Sequence, residues 1–194
     1  MRLLIALLAL FVAGCVSHST LQTGEQAVGD RMLLTLDGPW NYIDAPGMGP
    51  ARTWTMEGLP IDVLRVYSGI KDEQSMHPKG PAGQKNFSFR STMQPDEVVA
   101  MFEGVLTRDG SSFKLAKLEP TTFAGEKGFR FEYSLTRKVD NVQLSGLGYG
   151  VVSNGELFAM LYQAPRLAFF ARHQPRVDQI ARSARLSPRK PPPS

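Results

Sequence analysis

Residues 128–136 read Gly128-Phe129-Arg130-Phe131-Glu132-Tyr133-Ser134-Leu135-Thr136. Phe129, Phe131, Tyr133 and Leu135 fall on one side of this stretch, and Arg130, Glu132, Ser134 and Thr136 on the other. An unbroken period of two marks a β-strand with one buried face. Its neighbours continue the pattern. Residues 113–118 form a strand before it. Lys138-Val139-Asp140-Asn141 is a turn, and residues 142–152 return. Asn154-Gly155 is a tight hairpin signal. Residues 157–162 are apolar on both faces, with Leu157, Ala159 and Leu161 opposite Phe158, Met160 and Tyr162. That composition suits a central strand covered on both sides. The second half of the chain is therefore an antiparallel meander.

Upstream of the meander, residues 95–106 form a helix. Pro95 suits its first position, and Asp96 and Glu97 complement the N-terminal dipole. Val98, Phe102, Val105 and Leu106 supply the apolar stripe. Residues 61–67 alternate as a strand, with Ile61, Val63, Arg65 and Tyr67 facing one way and Asp62, Leu64 and Val66 the other. Residues 31–36 are a short strand, Asp37-Gly38-Pro39 a turn, and Trp40, Tyr42 and Ile43 a second short strand. Residues 45–52 and 75–84 are rich in proline and glycine and read as loops. Phe87 and Phe89 mark a short strand between the second loop and the helix. A second helical region follows Pro165, interrupted at Gln174-Pro175, with Val177, Ile180 and Ala184 at helical spacing.

The fold class is α+β, an antiparallel β-sheet with helices packed on it. The order of elements resembles the PsbP-like family. The residues that carry the likeness are Gly128-Phe129-Arg130-Phe131-Glu132-Tyr133, the meander to Tyr162, and Val177-Asp178-Gln179-Ile180-Ala181-Arg182-Ser183-Ala184-Arg185-Leu186. The family's last helix ends in a Ser-aromatic-Arg segment, and Ala184 stands here in place of the aromatic. The resemblance implies an α/β/α sandwich and a mostly non-catalytic role. No functional residue of the family maps onto this chain.

The N-terminus carries the sharpest signal of destination. Arg2 precedes an apolar run at residues 3–13 that ends in Val12-Ala13-Gly14-Cys15. A charged start, a short apolar core and small residues before a cleavage point describe a signal peptide. The run is short of the ~20 residues a membrane-spanning helix needs. The cysteine after Ala-Gly resembles the lipobox of bacterial lipoproteins. That likeness implies cleavage before Cys15 and acylation of its thiol by diacylglycerol and palmitate-type chains. Cys15 is the only cysteine of the chain, so no internal disulfide forms. Val16 follows it instead of the aspartate that typically retains such proteins in the inner membrane. That favours the inner leaflet of the outer membrane, facing the periplasm. The expected organisation is a signal peptide at 1–14, a flexible tether at 15–29, a single domain at 30–186 and a disordered proline-rich tail at 187–194.

Removing residues 1–14 leaves 180 of the 194 residues, enough for one domain with a sizeable core. The net charge of +4 is unevenly placed. Residues 166–190 hold Arg166, Arg172, Arg176, Arg182, Arg185, Arg189 and Lys190 against Asp178 alone. Arg172, Arg176, Arg182, Arg185, Arg189 and Lys190 are candidates for contact with anionic lipid headgroups or cell-wall polymer. The bland alternative is a solvated helix face with a soluble tail. Export removes nucleic acid as a partner.

The search for catalytic chemistry yields little. Gly146-Leu147-Gly148-Tyr149-Gly150 is followed by strand-like Val151 and Val152, so it lacks the helix a phosphate loop requires. Its glycines fit sheet twisting or close helix packing. Ser153 lacks the glycine two residues before it that a nucleophile elbow needs. His18, His77 and His173 have no His or Cys at ligand spacing, and no metal or other cofactor is expected. His77 is the best single candidate for chemistry. Three readings of function follow. The first is a lipid-anchored, non-catalytic accessory or scaffold among envelope proteins. The second is a small-ligand or lipid-binding module with a pocket between sheet and helix, lined by Phe129, Phe131, Tyr133 and Tyr162. The third, a cell-wall or lipid hydrolase, rests on compartment alone.

Overall fold

The protein is described from a computed structural model over residues 18–45, 48–77 and 86–188. Cys15, Arg189 and Lys190 lie outside the described residues.

Strand β1 (His18–Val28) pairs antiparallel with β2 (Met32–Asp44). Strands β3 (Arg52–Thr55) and β4 (Val63–Ile70) follow, then helix α1 (Pro95–Leu106). The meander comprises β5 (Ser112–Phe123), β6 (Glu126–Thr136), β7 (Gln143–Ser153) and β8 (Glu156–Pro165). A π-helical turn, Arg166–Phe170, leads into α2 (Ala171–Ser183) and the two-residue strand β9 (Arg185–Leu186). Among the described residues the strands form one sheet in the order β1-β2-β3-β4-β8-β7-β6-β5, with β9 on β2. Each strand pair is antiparallel.

Strand β8 sits between β4 and β7 and is buried on both faces, as its two apolar faces predict. One face, with Phe158, Met160 and Tyr162, joins Leu34, Trp40, Trp54, Val177 and Ile180 under α2. The other, with Leu157, Ala159 and Leu161, joins Phe129, Phe131, Tyr133, Val98 and Phe102 under α1. The molecule is thus α/β/α, and the two cores are separated by a single sheet. The N-terminus of α1 is closed by Glu97, whose carboxylate accepts the Gln94 N–H at 2.8 Å. Asn154 and Gly155 both have positive φ, 51° and 74°, as the β7–β8 hairpin requires.

Four expectations need correction. Residues 18–28 are a strand, not a tether, and the domain therefore begins well before residue 30. This is an edge strand whose inward positions are mostly polar: Gln22, Gly24 and Gln26 are half-buried, and only Val28 is fully buried. Backbone pairing holds it, so hydrophobic periodicity gives no sign of it. Residues 31–43, expected as two strands around a turn, are one strand that kinks at Gly38 (φ 84°) where the pairing register with β1 shifts. Residues 86–89 form no full strand; Ser88 makes an isolated bridge to Ser75. Finally, α2 runs through Pro175 without interruption. Pro175 lacks the N–H that would pair with Ala171 O, yet the helix continues to Ser183.

Candidate functional site

The glycines of β7 organise the α1 face of the sheet. Each stands opposite an aromatic of β6: Gly146 opposite Tyr133, Gly148 opposite Phe131, Gly150 opposite Phe129. A Cβ at these glycines would lie 2.0, 2.2 and 2.4 Å from the facing rings. The rings therefore lean across β7 into space that only glycine leaves open. Phe131 stacks on Tyr133 at 5.8 Å, and Phe113 on Tyr133 at 4.9 Å. Phe102 of α1 closes over Phe131 at 6.3 Å.

The register continues across β8 to β4 and builds side-by-side rows. Val63, Gln163, Gly146 and Tyr133 make one row; Arg65, Leu161, Gly148 and Phe131 make the next; Tyr67, Ala159, Gly150 and Phe129 make the third. Helix α1, at 12 residues, is about 18 Å long, against about 37 Å for an 11-residue strand such as β6. The helix stops short of the far end of this face, where Val63, Tyr67 and Leu135 are nonetheless only 3–4% exposed. There a cleft of about 500 Å³ opens between the sheet and α1, lined by Val63, Arg65, Tyr67, Leu135 and Gln163 from the sheet and by Val105, Leu106 and Arg108 from the helix end. Leu59, His77, Asp109 and Arg137 complete its rim.

The cleft is rich in donors. The Tyr133 hydroxyl reaches over Gly146 and donates to Gln163 Oε1 at 3.3 Å. Burial raises the pKa of Tyr133 and of Tyr67, while the nearby Arg65 charge opposes the rise at both. Both hydroxyls are protonated at neutral pH. Arg65 is half-buried and, among the described residues, makes no ion pair. Arg137 forms a forked pair with Asp140, 2.9 and 2.7 Å, and donates to Pro60 O at 2.7 Å. Its hydrogen bond to Asp140 raises the guanidinium pKa and lowers that of Asp140. Arg108 follows the C-terminus of α1, where a cation is favoured, and donates to His77 Nδ1 at 2.8 Å.

This differs from the expected pocket. Phe129, Phe131 and Tyr133 do lie between sheet and helix, but they are 0–4% exposed and close-packed. Tyr162 is on the opposite face, against Trp40 and Phe170. The four do not line one cavity, because adjacent positions along β8 point to opposite faces. The glycine run of β7 serves the facing rings, not a phosphate.

The second titratable cluster is structural. Asp62 is 1% exposed and accepts from Thr55 Oγ1 at 2.5 Å, Met56 N at 3.1 Å and Glu57 N at 2.8 Å, closing the β3–β4 loop. His173 Nε2 lies 2.9 Å from Glu57 Oε1. Tyr162 stands beside both carboxylates; burial first, and their charges second, raise its pKa. Among the described residues no group of three His, Cys, Asp or Glu is placed to hold a metal ion, and no helix is long and apolar enough to cross a membrane.

The basic segment is partly committed within the domain. Arg185 pairs with Glu25 of β1, Arg172 lies 3.6 Å from Glu57, and the Arg176 guanidinium occupies the space that a Cβ at Gly38 would need. Arg182 is exposed, and among the described residues it makes no ion pair. The cleft residues Arg65, Arg137 and Gln163 were not singled out by sequence. The one available signal was Arg65, a lone charge on the face of Ile61, Val63 and Tyr67.

No protein-family model and no curated protein sequence matches the chain. Among solved structures, that of cyanobacterial PsbP (CyanoP) from Synechocystis sp. PCC 6803 superposes with a TM-score of 0.57. The match covers 92% of this chain and 99% of that one at 16% identity. The fold is PsbP-like. Two more distant likenesses are PA94 of Pseudomonas aeruginosa and LpqN of Mycobacterium tuberculosis. PA94 has a TM-score of 0.42 at 19% identity, covering 90% of this chain and 99% of that one. LpqN, involved in cell envelope biogenesis of its organism, has 0.44 at 12%, covering 89% and 92%.

Proposed function

We propose that this chain is a lipid-anchored envelope protein that faces the periplasm, with Cys15 carrying the acyl chains. The folded domain acts as a non-catalytic accessory or scaffold in an envelope assembly. The observation that carries the reading is Val12-Ala13-Gly14-Cys15 behind a charged residue and an apolar run. Val16 supports the inner leaflet of the outer membrane. Strand β1 begins at His18, three residues after Cys15. That spacing supports a domain held against the bilayer instead of on a long stalk. Exposed Arg182, with Arg189 and Lys190 beyond the domain, would add about 1 kcal/mol each near an anionic surface. The non-catalytic role is supported by the structural employment of the buried charged groups, Asp62 in a loop, His173 with Glu57, and Glu156 with Arg31.

The test is intact mass and membrane fractionation of the protein from its host, with Cys15→Ala alongside. The expected result is a diacylglycerol-plus-acyl mass on Cys15 and loss of membrane association in the variant. A soluble, unmodified wild-type protein overturns the reading. Crosslinking of the anchored form then identifies its envelope partners.

A further inference from the structure

The floor of the α1-side cleft brings together three donors that the protein itself leaves unspent. Arg65, Tyr67 and Gln163 project from adjacent rows of β4 and β8 onto the same face. Among the described residues the Arg65 guanidinium has no carboxylate partner and the Tyr67 hydroxyl has no hydrogen bond. Gln163 spends its oxygen on Tyr133, and among the described residues its amide N–H groups make no hydrogen bond. A half-buried guanidinium is costly to hold without a counter-charge. The planar fork of arginine matches a carboxylate or phosphate in two parallel hydrogen bonds. Around this floor the wall is apolar, made by Val63, Leu135 and Val105. The volume, about 500 Å³, falls within the range of small-ligand sites.

We infer that this cleft is a binding site for a small amphipathic anion, whose carboxylate or phosphate sits on Arg65, Tyr67 and Gln163 and whose short apolar body lies against Val63, Leu135 and Val105. The site does not depend on the anchor at Cys15. Arg137 is held at the rim by Asp140 and Pro60, so it adds positive potential while remaining engaged. Asp109, also on the rim, is turned to the Ser111 N–H at 2.9 Å.

The test is titration calorimetry of the full chain in a nonionic detergent with three probes: hexyl phosphate, hexanoate and inorganic phosphate. Saturable binding of hexyl phosphate or hexanoate is expected, weakened about tenfold or more in Arg65→Gln, the loss typical of one charge-assisted contact. Arg65→Lys, which keeps the charge and loses the fork, should fall between. Lys114→Gln, on the exposed edge strand β5 and away from the cleft, should bind as wild type. Thermal unfolding of each variant separates loss of the site from loss of the fold. Preference for hexyl phosphate points to a phospholipid-like source, and preference for hexanoate to an acyl carboxylate; both support the site. Inorganic phosphate binding as tightly as hexyl phosphate overturns the apolar half of the inference. Absence of any Arg65-dependent binding overturns the whole.

Discussion

The Tyr133 ring lies flat over Gly146, so close that a Cβ there would stand 2.0 Å from its Cζ, and its hydroxyl reaches Gln163 on the next strand. The ring, the glycine and the amide are one device, set by the pairing Tyr133↔Gly146↔Gln163. It fills the sheet face where α1 stops and fixes one wall of the cleft.

Gly146→Ala should therefore cost about 3 kcal/mol, because the ring is packed on every other side and has nowhere to go. Gly148→Ala, under Phe131, should cost a similar amount. Gly125→Ala is the control: its φ is 85° and nothing lies within 4 Å of the added Cβ, so only the left-handed backbone opposes it, at about 1 kcal/mol. Denaturant unfolding of the three variants checks the order. Equal losses at Gly146 and Gly125 would show that the ring contact is not what makes Gly146 necessary.

Asp62 holds the β3–β4 loop through three donors while almost fully buried. Asp62→Ala orphans them together and should destabilise by about 3 kcal/mol. Asp62→Asn keeps an acceptor oxygen and should lose roughly half of that. The measurement is chemical denaturation, with hydrogen exchange at Met56 and Glu57 reporting the loop itself.

Arg31 pairs with Glu156 at 2.8 Å, donates to Ser187 O at 3.1 Å and lies over the Phe158 ring. This pins the β1–β2 hairpin to the start of β8. Glu156 is 4% exposed, so Arg31→Met leaves a desolvated carboxylate without this cation. A loss of about 3 kcal/mol is expected. Arg182→Met on the exposed face of α2 should stay within about 0.5 kcal/mol of wild type.

Four of the five tyrosines carry raised pKa values. At Tyr149 burial, followed by its hydrogen bond to Asp178, lifts the phenol to about 12. Each of these groups binds its proton more tightly folded than unfolded. The stability they contribute is complete below the unfolded value of about 10 and drains away as pH rises toward 12 and beyond. Tyrosinate absorbance should thus lag behind that of free tyrosine and appear together with unfolding. Reversible ionisation of the four near pH 10 in the folded protein would contradict the packing described here.

Much of the meander was legible because its chemistry is local. The alternation of residues 128–136, the Asn154-Gly155 turn and the doubly apolar β8 each state a strand, its face or its end within a few residues. Helix α1 declared itself through Pro95, two acids and an apolar stripe, and its bounds match. Strand β1 did not declare itself, because an edge strand of glutamines and glycine is held by main-chain hydrogen bonds that any sequence can make.

The sequence by itself determined the antiparallel meander and the central place of β8, since each is written in the period or order of neighbouring residues. Only the tertiary structure decided which strands became neighbours. It set the glycines of β7 beneath the rings of β6, sent Tyr162 to the far side of the sheet and gathered Arg65, Tyr67 and Gln163 around one cleft. The gathering at the cleft depends on the β4–β8 register between segments nearly a hundred residues apart, which no local pattern encodes.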